Sequence, residues 1–205
     1  MLPAMTLDPS RTAVLALHWQ VNVIEPDGFF GGMLAAPVAA SGVVCRAAAF
    51  HDTVRRVGVP VCFTRFTIPE GEGELVRNTG FMTAVAGAQD SFRPDASGAA
   101  LIRQMTVGER DMVVDGQRLS GLAAGPLPDR LRERGIDTLL VTGVATNLTV
   151  EQTARHGTDL GFTVHVVRDC VTAADEATHL ASLANLELAT AGCLDAAEVL
   201  ARLSE

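Results

Sequence analysis

Polar side chains follow three short apolar runs of the sequence, and their types could support proton transfer. The three places are "LHWQ" (17–20), "VVDGQRLSG" (113–121) and "VTGVATNLT" (141–149). Histidine titrates near neutral pH, so His18 could act as a general acid or base. A threonine hydroxyl such as that of Thr149 becomes a nucleophile only beside a strong general base. These residue types permit acid–base chemistry, but the three places by themselves name no reaction.

Two arginines, a serine and two phenylalanines are candidates for contacts to a small-molecule ligand. Arg118 and Ser120 follow the second of these places closely. Arg65 ends another apolar run, where its guanidinium could bind a carboxylate through two parallel hydrogen bonds or, equally, form a surface ion pair. Phe29 and Phe30, in "PDGFFGG", could line an apolar pocket or belong to an ordinary core.

The apolar runs that precede these residues have the length and composition of parallel strands buried on both faces. They comprise residues 12–19, 59–66, 111–115, 137–144 and 162–169. Helical patterns separate them, at residues 35–57, "PLPDRLRERGI", "NLTVEQTARHGTDLG" and "ATHLASLANLEL". Because strand and helix alternate with short links, the sequence predicts an α/β fold, a three-layer doubly wound, mostly parallel sheet with helices on both faces. Ligands bind such sheets beyond the carboxyl ends of the strands.

One segment interrupts this alternation. Residues 67–110 are rich in glycine, proline and charge, which is typical of a binding loop or lid but equally of a connection without a role. We find no internal repeat and no interdomain linker, so the sequence predicts a single domain over residues 1–205.

Composition restricts the class of protein. The chain has 205 residues, of which 48% are hydrophobic and 20% charged, as in one folded domain with a substantial core. A formal charge of −8 argues against nucleic-acid binding. All 16 lysine-plus-arginine residues are arginines, so no lysine can serve as a base. We expect a small-molecule ligand or substrate as the partner.

The spacing of the cysteines and the length of the apolar runs indicate in which cellular compartment the protein resides. The four cysteines show no CxxC spacing, and Cys45 and Cys62 suit burial as small hydrophobic residues. The N-terminus lacks a secretion signal, and no apolar run is long enough to cross a bilayer. We therefore expect a cytoplasmic protein that is independent of membranes.

Three segments carry a resemblance to a known family. They are "AVLALHWQVNVI", "DMVVDGQRLSGLAAGPL" and "TLLVTGVATNLTVEQTARHGTDLGFTVHVVRDCVT". Over nearly its whole length the chain resembles the isochorismatase-like superfamily, or cysteine hydrolases, which includes nicotinamidases, N-carbamoylsarcosine-type amidohydrolases and isochorismatases. The resemblance implies the α/β fold predicted above and a homodimer or homotetramer.

The three side chains that the family uses for catalysis are replaced in this sequence. The family aspartate corresponds to His18, the lysine to Gly116 and the cysteine to Thr149. A cysteine at a helix N-terminus gains thiolate character from the helix dipole and a nearby cation, whereas a threonine hydroxyl is far too weak an acid to ionise there. Nicotinamidases of the family also bind a metal after the second strand, but "FTRFTIPEG" offers no such ligands, so we expect neither a metal nor another cofactor.

The resemblance also implies which residues surround the ligand. It implies a cis peptide bond between Val144 and Ala145, with nearby amides forming an oxyanion hole. It places Gln20 directly after the first strand. Taken with the candidates above, the predicted ligand contacts are Gln20, Phe29, Arg65, Gly116, Arg118, Ser120, Val144 and Ala145.

Three hypotheses of function follow. The favoured one is a metal-free enzyme in which His18 performs acid–base chemistry, as in hydrolysis, elimination, isomerisation or cyclisation, with Thr149 across the pocket and Asp115 as a candidate to orient the imidazole. The second is a catalytically silent binding or regulatory protein, in which His18 only fills the space of the lost aspartate. The third is a hydrolase that uses Cys170 as nucleophile.

The remaining polar residues of these segments are expected to be structural. His51 is predicted on a helix surface, and Thr146 or Asn147 is predicted to cap the helix that follows the glycine turn. The other three histidines are expected to have structural rather than catalytic roles, and they are His156, His165 and His179.

Overall fold

A six-stranded parallel sheet organises the computed structural model of this chain, which describes residues 6–123 and 125–203. The strands lie in the order β3-β2-β1-β4-β5-β6. Their bounds are β1 Thr12–Leu17, β2 Val61–Phe66, β3 Met112–Gly116, β4 Thr138–Val144, β5 Thr163–Thr172 and β6 Cys193–Leu194. Neighbouring strands pair in parallel throughout, which confirms the predicted fold class.

Helices cover both faces of this sheet. They are α1 Val21–Ile24, α2 Gly31–Ser41, α3 Val43–Arg56, α4 Gly80–Gly87, α5 Leu127–Glu133, α6 Glu151–Asp159, α7 Glu176–Ala189 and α8 Ala196–Leu203. Within the described ranges, no single helix is long and apolar enough to cross a bilayer. Only α2 and α3 together reach that length and composition, and they meet at an angle of 66°.

The alternation of side chains along β1 divides the core into two layers. Val14 and Ala16 point to the layer formed with α2, α3 and α8. Ala13, Leu15 and Leu17 point to the layer formed with α5, α6 and α7. Successive side chains of a strand point to opposite faces, so a strand that is buried on both faces must be apolar throughout. This requirement explains the unbroken apolar run in β1.

The helix predicted at residues 35–57 is two helices, α2 and α3. Gly42 separates them, with a φ of +67° in the left-handed region. Glycine adopts this conformation without a steric penalty and commonly ends a helix there. The prediction was wrong because the apolar residues on either side of Gly42 continue the same pattern across the break.

The predictions for His51 and Cys45 were wrong for one geometric reason. The buried face of α3 is formed by Val43, Ala47, Phe50 and Val54, and His51 lies on that face. Its Nε2 lies 3.0 Å from Oγ1 of Thr142 in β4. The imidazole also makes edge-on contacts with the rings of Trp19 and Phe63. The helical period places Cys45 on the opposite, exposed side.

Residues 67–110 form an ordered insertion at the carboxyl edge of β2. The segment contains α4 and two short 3₁₀ turns. It has a small apolar core of its own, which packs onto the end of β2 and comprises Phe66, Ile68, Met82, Val85 and Phe92. The segment therefore brings apolar side chains to the carboxyl edge of the sheet.

Gly143 in β4 is a position beside the cavity where we expect a single added methyl group to disturb the fold. An added Cβ would lie 2.4 Å from the carbonyl oxygen of Leu17, and φ is +140°. We expect Gly143→Ala to lower the free energy of unfolding by about 2–4 kcal/mol, since it combines overpacking with backbone strain. Urea unfolding followed by circular dichroism measures the change.

Gly32 in α2 provides the matched control. A Cβ added there meets no atom within 4 Å. Gly32→Ala should leave the free energy of unfolding unchanged or raise it by up to about 1 kcal/mol, because alanine favours the helix. Equal stability of the two alanine variants would contradict the predicted close contact between β4 and β1.

Candidate functional site

A small cavity lies at the carboxyl ends of the two central strands, β1 and β4. It contains about 330 Å³ of empty space, including the part that opens to solvent. Its lining residues are His18, Val23, Phe30, Met33, Leu34, Phe81, Leu119, Val144, Ala145, Leu148 and Thr149. This is the edge at which open α/β sheets bind ligands.

The turn after β4 supplies one wall of this cavity. The peptide bond between Val144 and Ala145 is cis, as the resemblance implied. Residues 146–150 then form a π-helical turn that leads into α6 and carries Thr149. Neither Thr146 nor Asn147 caps this turn, because Ala145 occupies the N-cap position and the hydroxyl of Thr146 lies 2.9 Å from Nδ1 of His179. The prediction of a side-chain cap was wrong for this reason.

His18 supplies the opposite wall, in an unusual backbone conformation. Its φ is +53°, which is uncommon for a residue with a side chain and costs about 1–2 kcal/mol. The backbone N–H donates to the carbonyl oxygen of Thr64, 3.1 Å away, which helps to hold the residue there. The imidazole packs edge-on against Phe66, at 6.4 Å between ring centroids, and has no side-chain hydrogen bond to another described residue.

Burial determines the protonation state of this imidazole. Only 7% of the residue is exposed, and loss of solvation lowers the pKa of His18 to about 4. His18 is therefore neutral at pH 7. A neutral imidazole can accept a proton at one nitrogen and donate a hydrogen bond from the other.

Thr149 lines the same cavity, but its hydroxyl is occupied by the main chain. Oγ1 donates to the carbonyl oxygen of Leu119 at 2.6 Å. No hydrogen bond joins the described side chains of Thr149 and His18, so the two line the cavity without forming a nucleophile–base pair. This hydrogen bond connects the turn after β4 to the segment after β3.

Gly116 and Arg118 lie in a different place from the cavity. Both line a separate surface cleft beyond the edge strand β3, together with Thr67, Pro69 and Glu74. The guanidinium of Arg118 donates to the carbonyl oxygen of Glu74. The family resemblance aligned Gly116 with the catalytic lysine, but here the position contributes nothing to the lining of the cavity.

Two further predicted contacts, Arg65 and Gln20, are engaged with protein groups. Arg65 makes two parallel hydrogen bonds to Asp115, of 2.7 and 2.8 Å, so this carboxylate pairs with Arg65 and not with His18. Gln20 is fully buried and bonds both backbone groups of Phe66 and the carbonyl oxygen of Ala99. These bonds join β1, β2 and the insertion and give Gln20 a structural position beside the cavity.

Ser120 and Phe29 are also outside the cavity lining. The hydroxyl of Ser120 lies 2.9 Å from Nδ1 of His156. Phe29 is 39% exposed and packs edge-on against Phe30 and Phe92. Its neighbour Phe30 is the phenylalanine that reaches the cavity.

Several lining residues carried no signal in the sequence. Phe81 comes from α4 of the insertion and stacks on Phe30, with 5.4 Å between centroids and 8° between ring planes. Met33 and Leu34 in α2, and Leu148 after β4, also line the cavity. An apolar residue in a helix looks the same in sequence whether it faces a core or a cavity. A search for aromatic residues in the insertion could have suggested Phe81.

Cys170, the alternative nucleophile, lies in the apolar core between the sheet and its helices. It is fully buried, and burial raises the pKa of its thiol well above the usual range. Within the described ranges, no cluster of three or more histidine, cysteine, aspartate or glutamate side chains is arranged to hold a metal ion.

Comparison with known families identifies the class of protein that this fold and site define. The model of the isochorismatase domain matches residues 12–198, so the chain belongs to the isochorismatase family. The resemblance drawn from the sequence is thereby confirmed.

Similar proteins agree with this assignment. The ureidoacrylate amidohydrolase RutB of Methylobacterium radiotolerans is 29% identical over 196 residues, which cover 89% of this chain and 76% of RutB. A cysteine hydrolase from Pseudomonas syringae has a TM-score of 0.82 at 21% identity, with 100% of this chain and 99% of that chain covered. An isochorismatase family protein from Burkholderia thailandensis has a TM-score of 0.76 at 26% identity, covering 98% and 99%.

The buried imidazole of His18 leads to a prediction about acid stability. Its pKa is about 4 in the folded chain and about 6.5 in the unfolded chain. Between these values the unfolded chain binds a proton that the folded chain does not, so stability falls as the pH decreases from about 6.5 to 4. The loss approaches about 1.4 kcal/mol per pH unit for this histidine.

Urea unfolding of the wild type and of His18→Asn between pH 7.5 and 4.5 measures this loss. Asparagine tolerates a positive φ better than most residues, so the variant keeps the backbone conformation. The slope of the unfolding free energy against pH should be smaller in the variant by up to about 1.4 kcal/mol per pH unit, which corresponds to one proton. Identical slopes would show that His18 is not buried in a neutral form.

Proposed function

We propose that this protein is an enzyme that performs non-covalent acid–base chemistry on a small metabolite, with His18 as the proton carrier. The observation that supports the proposal is that, among the described residues lining the cavity, His18 alone has a side chain that can both accept and release a proton in water. Relatives with enzyme names, such as the amidohydrolase RutB, support catalysis as the general role.

The proton transfer in this proposal runs from a neutral molecule to the neutral imidazole. It forms an imidazolium and an anion side by side, and their attraction, which is stronger among apolar walls than in water, offsets part of the cost of burying the two charges. The proton then returns to a different atom of the substrate, or to a leaving group. Because the backbone at His18 and the bond from its N–H to Thr64 hold the residue in place, the imidazole needs little reorganisation during the reaction.

Thr149 has a positioning role in this proposal. Its hydroxyl proton is donated to Leu119, and a nucleophilic threonine would need a base in place of that carbonyl. The amides around the cis peptide, Val144 to Ala145, are proposed to stabilise a developing negative charge, as the family resemblance implies.

The apolar lining bears on the type of reaction. A water molecule held for attack usually needs two to four polar partners, and the lining offers only the side chains of His18 and Thr149. We therefore favour isomerisation, elimination or cyclisation, which consume no water, over hydrolysis. The substrate named for RutB, a ureidoacrylate, carries a carboxylate, and the lining contains no cation to pair with it, so we do not transfer that substrate to this chain.

A catalytically silent binding protein is the second candidate. Two observations favour it. Burial makes His18 a weak base, and Asp115, which could have oriented its ring, is paired with Arg65. Such a protein would hold a ligand in the same cavity without converting it.

The test compares turnover in a set of variants. Wild-type protein is incubated with a mixture of cellular metabolites, and consumed and formed compounds are detected by mass spectrometry. We expect His18→Asn to reduce turnover at least about 100-fold, the usual contribution of a general acid or base. Thr149→Val should retain most of the activity, because it removes no reacting group.

His165→Asn is the matched control, since His165 is also buried but lies in β5 outside the cavity lining. It should keep wild-type turnover. Equal activity of His18→Asn and wild type would refute the acid–base role. A bound metabolite that is never converted would favour the silent binding protein.

A further inference from the structure

We infer that the cavity selects uncharged, largely apolar molecules that carry one polar group, and that it rejects carboxylates and ammonium ions. The inference rests on the proposal that this cavity is the ligand site, but it does not require that the ligand be converted. It concerns the class of substrate, which the relatives do not define for this chain.

The wall of the cavity is mostly apolar. Nine of the eleven lining residues are apolar, and the two exceptions are His18 and Thr149. The hydroxyl proton of Thr149 is already donated to Leu119. The imidazole of His18 is therefore the lining side chain that can both donate to and accept from a ligand. One polar group can be satisfied there, and a second would be buried with few partners.

The charged residues near the cavity are engaged elsewhere. The lining contains no arginine, aspartate or glutamate. Arg65 and Arg118, the arginines that the sequence suggested as ligand contacts, pair with Asp115 and with the backbone of Glu74 outside the cavity. A carboxylate or ammonium ion entering the cavity would lose its hydration without gaining a side chain of opposite charge. The amides at the cis peptide carry only partial charges and cannot offset the desolvation of a full carboxylate, so binding of either ion is disfavoured.

The cavity is also narrow. Phe30 and Phe81 stack with their ring planes 8° apart and form an apolar part of the wall. The centres of water-sized molecules can occupy only about 40 Å³ inside it, and the space continues into solvent. A small ring or a short branched chain therefore fits only with part of it at the open side. The apolar body of the ligand would contact α2 and α4, and its polar group would face His18 at the end of β1.

Three probes of nearly equal size test the charge selection. Acetophenone, benzoate and benzylammonium each have one benzene ring with a small substituent. Acetophenone is neutral, benzoate is an anion and benzylammonium is a cation. Dissociation constants are measured at pH 7.5 by ligand-observed NMR on the full chain. We expect acetophenone to bind at least about tenfold more tightly than either ion, a difference of about 1.4 kcal/mol.

A substitution at the rim of the cavity should reverse the preference. Met33 lines the cavity but is 44% exposed, so an arginine there can keep its charge in water while its chain lies along the wall. Met33→Arg should increase the affinity for benzoate at least about fivefold, because a rim cation supplies the missing counter-charge. Met33→Gln, which is polar but uncharged, is the matched control, and benzoate should bind it at least about fivefold more weakly than it binds Met33→Arg.

The outcomes separate this inference from the proposed function. Equal binding of benzoate and acetophenone by the wild type would overturn the inference, as would failure of acetophenone to bind. If His18→Asn keeps full turnover while the wild type still prefers acetophenone, the acid–base role fails and the substrate class stands. If His18→Asn is inactive and benzoate binds as well as acetophenone, the acid–base role stands and the inferred substrate class fails.

Discussion

The close approach of β4 to β1 at Gly143 and Leu17 sets the geometry on which the cavity depends. Only a residue without a side chain allows the backbones to come this near, since an added Cβ would lie 2.4 Å from the carbonyl oxygen of Leu17. His18 directly follows β1, and Val144 and Ala145 directly follow Gly143. The same contact therefore places the imidazole and the cis turn on opposite sides of one small space.

Burial then decides what this space can do chemically. Two arginines near the carboxyl edge are engaged with protein groups, Arg65 with Asp115 and Arg118 with the main chain of Glu74. What remains at the cavity is an imidazole that burial keeps neutral and a hydroxyl that the backbone already uses. This chain of the isochorismatase family therefore has a largely apolar cavity. Chemistry at such a site must begin with a neutral imidazole and an uncharged molecule.

The insertion between β2 and β3 supplies one residue of the cavity lining, Phe81. The insertion has a small core of its own on the end of β2, and Gln20 connects it to the end of β1 through the carbonyl oxygen of Ala99. Phe81 stacks on Phe30, so part of the apolar wall combines two segments far apart in sequence.

The sequence by itself determined the strands and their parallel arrangement, because a strand buried on both faces must be apolar throughout. It also indicated the edge where a ligand could bind, because polar residues follow the carboxyl ends of these apolar runs. It also placed His18, Val144, Ala145 and Thr149 near one another through the family pattern. Only the tertiary structure decided which other residues reach the cavity. Arg65, Arg118 and Ser120 have suitable chemistry, but each binds a neighbouring protein group, and pairing of this kind depends on distances between segments that a linear pattern does not contain. Phe81 and Met33 look like ordinary core residues in the sequence, and only the tertiary structure shows that they line the cavity.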